Sequence, residues 1–207
     1  MKASQKKHWP RSNLSTTVLG FGAAQLGNFN REMSDAEAQT LIEASWDAGV
    51  RFYDTAPSYG HGLSEARLGQ GLHWKPHSEF ILSTKVGRLL SPRARGEIDF
   101  TPWVNGLPFE RRFDYSYDGA MRSIEDSLQR TGLEYIDVAL IHEVDAVTHG
   151  NQPGDRCSRG SDVQLRSGQR SVEQLHENVA TLNAEIPTEF WHALKMSRLI
   201  REDAPIP

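Results

Sequence analysis

Four residues of this 207-residue sequence carry groups suited to proton transfer: Asp54, Tyr59, Lys85 and His142. Asp54 and Tyr59 stand five residues apart in Asp54-Thr55-Ala56-Pro57-Ser58-Tyr59-Gly60, directly after the apolar run 50–53. A free phenol titrates near ~10 and is a poor acid or base at neutral pH, but an ammonium beside it favours the phenolate. A lysine held charged by a carboxylate therefore turns a neighbouring phenol into a general acid toward a carbonyl oxygen, or a base toward an alcohol. A histidine within reach orients the same oxygen. Proton transfer alone does not reduce a carbonyl; a hydride donor is required, which implies a nicotinamide cofactor.

For these residues to meet, each must leave a strand at the same end of a sheet, and the sequence supplies such strands. Residues 16–21, 50–54, 80–85 and 136–142 read as four strands, alternating with helices after Ser34, over 64–71 and over 116–130. Ser34 and Glu37 form a capping box before a face of Ala38, Leu41, Ile42 and Ser45, and Gly49 stops that helix. The third helix aligns Met121, Ile124 and Leu128 and ends at Gly132. The near-continuous apolar run 136–142 suits a parallel strand covered on both faces. Residues two apart share a strand face, so Asp54 sides with Phe52, Lys85 with Ile81 and Ser83, and His142 with Val138 and Leu140. If that face is a barrel interior, three polar groups converge at the carboxyl ends of the strands, where (β/α) barrels keep their chemistry.

The stretch 86–114, with Trp103, Phe109 and several prolines, reads as a long loop with a substrate-covering role. Residues 151–167 lack periodicity and read as an irregular junction. Order resumes at Gly168, where Ser171 and Gln174 form a second capping box before Val172, Leu175 and Val179. A last helix follows Pro187 and is expected to bury Phe190, Trp191 and Leu194.

A net charge of −4 provides no field for a nucleic-acid backbone. The single cysteine, Cys157, excludes an intramolecular disulfide and suits a reducing compartment, with cytoplasm the default. Lys2, Lys6, Lys7, Arg11 and Arg31, without an acid among the first 31 residues, superficially resemble a transit peptide, but residues 18–27 read as part of the fold. With no apolar segment near ~20 residues and no signal-peptide core, a soluble protein without membrane association is expected. Gly20-x-Gly22-x-x-Gln25 lacks the third glycine and the immediate helix of a dinucleotide fingerprint. His73 and His77 are separated by Lys75-Pro76, and His142-Glu143 has no second histidine at helical spacing, so no metal site is expected.

The motifs Gly20-Phe21-Gly22-Ala23-Ala24-Gln25-Leu26-Gly27, Asp54-Thr55-Ala56 with Tyr59-Gly60, Ser64-Glu65 with Leu68-Gly69, Ser83-Thr84-Lys85, 137–142 and 168–178 together resemble the aldo-keto reductases. Phe113-Asp114-Tyr115-Ser116-Tyr117-Asp118-Gly119 and His149-Gly150 are most similar to the branch of L-fucose, D-threo-aldose and pyridoxal 4-dehydrogenases. The resemblance implies that Asp54, Tyr59, Lys85 and His142 are a catalytic tetrad. Tyr59 would be the acid/base, Lys85 its modifier, Asp54 the lysine's partner and His142 the substrate orienter. Gly22, Ala23 and Ala24 would face the nicotinamide of NADP or NAD. Gly168, Arg170, Gln174, Glu177 and Asn178 would lie at its adenosine and phosphates, where a helix N-terminus at Ser171 independently favours anions.

The implied fold is α/β, of the (β/α)8 TIM-barrel type but truncated. Only 17 residues separate Gly150 from Gly168, where the family places strands five to seven and, on the same count, the eighth. About four to five strand-helix units plus C-terminal helices are expected in one domain, 1–207. It comprises a half-barrel over 14–150, the junction over 151–167, and the cofactor-phosphate motif and helices over 168–207, with Val163-Gln164-Leu165 a remnant of the eighth strand. The implied function is NAD(P)-dependent interconversion of an aldose lactol or other carbonyl/alcohol pair acting on a small-molecule substrate. The alternatives are an inactive remnant or a regulatory, binding subunit. Open barrel edges suggest a homodimer.

Overall fold

The computed structural model describes residues 2–9, 12–143, 165–183 and 186–197. The chain begins with an antiparallel hairpin of β1 (Lys6–His8) and β2 (Ser15–Thr17), and then enters a parallel sheet at β3 (Leu19–Gly22). The single strand expected over 16–21 is thus two. Val18 donates its N–H to the Gln5 carbonyl at 2.8 Å and the Thr17 hydroxyl bonds the Leu19 carbonyl at 2.8 Å, so the chain changes partners there. The hairpin lies at the amino end of the sheet, with Trp9 edge-on to Phe52 at 6.3 Å.

After β3 follow α1 (Asp35–Asp47), β4 (Phe52–Asp54), α2 (Leu63–Leu72) and β5 (Ile81–Val86). Next come β6 (Arg88–Pro92), β7 (Phe109–Phe113), α3 (Tyr117–Thr131), β8 (Val138–Ile141) and β9 (Leu165–Ser167). The five parallel strands are ordered β8-β5-β4-β3-β9. Sequential strands lie side by side and β9 returns to the far side of β3. This is one arc of a (β/α) barrel with its closing strand docked against its first. Residues 165–167 of the span read as an irregular junction are thus a strand, beginning at Leu165, the last residue of the expected eighth-strand remnant, while residues 151–164, with Val163 and Gln164, lie outside the described residues.

The capping box at Ser34 forms in both directions: Ser34 Oγ accepts from the Glu37 N–H at 3.2 Å and Glu37 Oε2 from the Ser34 N–H at 2.7 Å. The helix it starts buries Ala38, Leu41, Ile42 and Ser45, as the periodicity requires. These residues join Leu19, Phe21, Tyr53, Leu68, Leu72, Phe80 and Leu82 in a core between the sheet and the helices. Leu175, from the helix Val172–Asn183, enters the same core and ties the C-terminal segment to the first strands.

Three expectations are corrected. The helix α3 buries Gly119, Ser123, Ser127 and Thr131, and Met121 of the apolar row is 41% exposed. Close packing explains the inversion, because a Cβ on Gly69 of α2 would lie 2.0 Å from the Thr131 carbonyl and only small residues fit such an approach. The apolar β8 is not covered on both faces among the described residues: Val138 and Leu140 are half-buried, but Ala139 and Ile141 on the opposite face are exposed, Ile141 by 57%. The helix Thr188–Met196 leaves Phe190 exposed and Trp191 and Leu194 half-buried, with Phe190 packed on Trp191 at 5.7 Å. An amphipathic pattern names a face but not its partner. Among the described residues no helix is long and apolar enough to cross a membrane.

Candidate active site

Strand register brings the first two groups together. Gly22 pairs with Asp54 and Asp54 with Ser83, so the carboxyl ends of β3, β4 and β5 are level and their side chains share the inner face. Lys85, two residues past Ser83, donates to Asp54 Oδ2 at 2.8 Å and to the Thr55 carbonyl at 2.9 Å. Ser83 Oγ donates to the second carboxylate oxygen at 3.0 Å. The pair is nearly dry, with the side chains 11% and 7% exposed. An ammonium has three donors. Two are committed to Asp54 and Thr55, and the Nζ atom stands 4.7 Å from the centre of the Tyr59 ring.

Tyr59 is set by backbone packed on backbone. A Cβ on Gly27 would come within 2.6 Å of the Gly60 nitrogen, and one on Gly60, whose φ is +63°, within 2.5 Å of the Gly27 carbonyl. Only glycine at both positions lets the turn 23–27 and the Tyr59 loop touch. Ser64 Oγ donates to the Ala23 carbonyl at 2.7 Å and lies 2.9 Å from Thr55 Oγ1, which joins the same two loops from the other side. Arg67, buried, donates to Leu26 O, Asn28 Oδ1, Met33 O and Asp35 Oδ1 at 2.7–2.8 Å and so fixes the loop that carries Gly27. Among the described residues the Tyr59 hydroxyl makes no hydrogen bond, so its donor is available to a substrate oxygen.

His142 follows β8, with its N–H bonded to the Val86 carbonyl at 3.0 Å. Its ring stands edge-on to Tyr59, with centroids 5.8 Å apart and planes at 89°. Its Nδ1 lies 3.5 Å from Ser58 Oγ, the outer limit of a hydrogen bond. Burial, with Arg88, Lys85 and Arg111 adding like charge, drives the imidazole's pKa down to about 3. The ring is therefore neutral at physiological pH and can act as a hydrogen-bonding partner rather than a cation.

The stretch 86–114 is not an irregular loop. The strands β6 and β7 pair antiparallel from Arg88 opposite Phe113 to Pro92 opposite Phe109, and the connecting turn is fastened to the site. Asn28 Nδ2 bonds the Val104 carbonyl at 2.8 Å, the Val104 N–H returns to the Asn28 carbonyl at 2.9 Å, and the Leu107 N–H meets Gly60 O at 3.0 Å. His61 Nδ1 contacts the Phe109 carbonyl at 2.6 Å. A carbonyl only accepts, so Nδ1 carries the proton and the ring is the Nδ1–H tautomer; burial favours that neutral form by lowering the pKa. These ties hold Trp103, 7% exposed, with its ring 5.4 Å from that of Tyr59. Trp103 was legible only as an aromatic in a covering loop, and His61 was missed. Their contacts with the site depend on a non-local fold.

The proposed cofactor residues fall into two groups. Gly22 and Ala24 are half-buried at the mouth beside Asp54, whereas Ala23 is fully buried with its carbonyl taken by Ser64. Gly168 comes alongside them, since a Cβ there would lie 3.9 Å from Gly22 O and 4.0 Å from Gln25. Arg170, Gln174 and Glu177 are exposed and Asn178 is half-buried, on and just before the helix Val172–Asn183. Ser171 Oγ accepts from the Gln174 N–H at 3.2 Å, but Gln174 Oε1 returns to the Arg170 N–H at 2.9 Å rather than to Ser171. The second capping box is thus displaced by one residue, which draws Arg170 against the first turn.

Residues 18–157 match the model of the Aldo/keto reductase family. The chain is 44% identical over 161 residues to pyridoxal 4-dehydrogenase of Microbacterium luteolum, covering 73% of this chain and 47% of that protein. It is also 44% identical over 136 residues to D-threo-aldose 1-dehydrogenase of a Pseudomonas species, covering 64% of this chain and 41% of that one. The chain thus spans about half the length of the curated relatives it matches. The structure is similar to the holo form of an aldo-keto reductase from Bacillus halodurans, with a TM-score of 0.52, 27% identity, and coverage of 67% of this chain and 40% of that one.

Proposed function

The chain belongs to the Aldo/keto reductase family, and from that premise we propose that it is an NAD(P)-dependent oxidoreductase interconverting an aldose lactol, or another carbonyl/alcohol pair, by hydride transfer. The observation that carries the reading is the cluster at the sheet's carboxyl end: the Lys85–Asp54 pair beneath the Tyr59 ring, with neutral His142 edge-on to the same ring. The relatives' names, pyridoxal 4-dehydrogenase and D-threo-aldose 1-dehydrogenase, favour an aldehyde or sugar lactol as substrate.

In the proposed reaction Tyr59 Oη gives its proton to the substrate oxygen during reduction and takes it back during oxidation. The Lys85 ammonium, held charged by Asp54, favours the phenolate that this transfer leaves behind. The uncharged His142 ring would orient the substrate oxygen, and Trp103 would wall the pocket with an aromatic face and exclude water.

The residues present fit a dinucleotide at both ends. Gly168 has room beside Gly22, and the Ser171 terminus with Arg170 offers donors for phosphate. Gly22 and Ala24 would hold the nicotinamide end, and Gly168, Arg170, Gln174, Glu177 and Asn178 the adenosine and phosphates. When bound, NADP or NAD would supply the hydride. A cytoplasmic setting is proposed from the single cysteine.

Titration with NADPH and NADH, followed by tryptophan fluorescence, is expected to saturate, and L-fucose or pyridoxal oxidation is expected to fall about 10²- to 10⁴-fold in Tyr59→Phe. Absence of binding at high micromolar cofactor would sink the enzyme reading. A second reading, an inactive remnant, is favoured by a described sheet of five strands where the family's barrel has eight. Saturable binding with no turnover of any carbonyl would select it.

A further inference from the structure

The segment 113–119, which the proposed chemistry leaves unused, is wired to the catalytic histidine. Asp114 donates its N–H to the Gly87 carbonyl at 3.0 Å, and its Oδ1 accepts from the Ser116 N–H at 3.0 Å and Ser116 Oγ at 2.6 Å. Ser116 Oγ in turn accepts from the Gly119 N–H at 3.0 Å and caps α3. Gly119 must be small, because a Cβ there would lie 2.3 Å from the Asp114 carboxyl. Between these bonds sits Tyr115. Its ring rests on Gly87, where a Cβ would come within 2.1 Å and φ is +99°, and its hydroxyl donates to the His142 carbonyl at 2.9 Å.

His142 leaves β8, which among the described residues has a neighbour on one side only, and the next residue, Glu143, turns the chain through a φ of +45°. The Val86 carbonyl holds the His142 N–H and Arg88 pairs with the Glu143 carboxylate, while the His142 carbonyl is held from the side by Tyr115 rather than by a ladder bond among the described residues. Misplacing an orienting group by about 1 Å costs on the order of 10²-fold in rate.

We propose that Tyr115 is a positioning residue for His142: its hydroxyl anchors the carbonyl at the end of β8, and Gly87 and the Asp114–Ser116 cap hold Tyr115 in place. The inference rests on the proposed role of His142 in orienting the substrate oxygen. It assigns the segment 113–119 a task beyond starting a helix.

The test compares wild type with Tyr115→Phe, which keeps the ring on Gly87 and removes only the hydroxyl. In imidazole ¹H–¹⁵N spectra the His142 resonances should shift and broaden while those of His61, tied to Phe109, stay in place. The melting temperature should move by no more than about 4 °C. Where turnover is measurable, kcat/KM should fall roughly ten- to a hundred-fold with cofactor Kd unchanged. Gly87→Ala, which expels the ring, should give the same His142 signature at a larger loss of melting temperature. His142 resonances unmoved in both variants, or moving together with those of His61, would overturn the inference. A wild-type chain without turnover counts against the proposed function alone, because the His142 spectra still decide for or against Tyr115.

Discussion

Lys85 and Tyr59 separate stability from chemistry at the scale of single residues. The Tyr59 hydroxyl makes no hydrogen bond among the described residues, so Tyr59→Phe should leave the denaturant midpoint within about 0.5 kcal/mol of wild type while abolishing turnover. Lys85→Met leaves the Asp54 carboxylate buried without its ammonium and should cost about 3–5 kcal/mol in urea unfolding. A loss no larger than that of Tyr59→Phe would show the pair to be solvated. His142 predicts a pH dependence. Its folded pKa of about 3 lies below the ordinary 6.5, so between those values the unfolded chain binds the extra proton. The stabilisation is complete above about pH 6.5 and is lost as pH falls toward about 3, roughly 2 kcal/mol by pH 5. His61, also depressed by burial, acts with the same sign. The acid slope of unfolding free energy should therefore flatten, without vanishing, in His142→Gln; an unchanged slope would refute the assignment.

At the scale of elements, glycines decide what can meet. Gly27→Ala should destabilise by about 1–3 kcal/mol, because its Cβ meets Tyr59–Gly60 backbone that cannot swing aside. Gly168→Ala has room and should fold like wild type, yet weaken NADPH binding if backbone must approach the phosphates there. Paired melting curves and cofactor titrations separate the two outcomes. Elements with local signals were legible: the Ser34 capping box, the buried face of α1 and the stop at Gly132 depend on residues a turn apart. The face of α3 was not, because it is set by non-local packing, with Thr131 against Gly69 of α2 and Ser123 toward the Lys85 carbonyl of β5. The hairpin β6–β7 was hidden for a related reason. Its register is enforced by Asn28, Gly60 and His61, which lie far away in sequence.

The described residues form an arc of five parallel strands, and the consequences fall on its edges. The edge at β8 presents apolar Ile141 and unpaired backbone among the described residues, which predicts self-association. Sedimentation velocity should show a concentration-dependent dimer that Ile141→Lys dissociates. A monomer at every concentration would mean that the edge is covered by other means.

Residue types and spacing alone determined the chemistry on offer here. A carboxylate, an ammonium and an imidazole stand at strand ends with the parity that points them inward, because side chains alternate with period two, and a phenol follows the first of them by five residues. The same local information gave the alternation of β3, α1, β4, α2, β5, α3 and β8, though not the two antiparallel hairpins. Only the tertiary structure decided that Lys85 commits two donors to Asp54 and Thr55 and faces the Tyr59 ring, that Trp103 reaches that ring, that Gly168 docks beside Gly22, and that Tyr115 bonds the end of β8. Each of these is a contact between segments far apart in the chain, set by sheet register and by the closeness that glycine permits, and no local pattern encodes either.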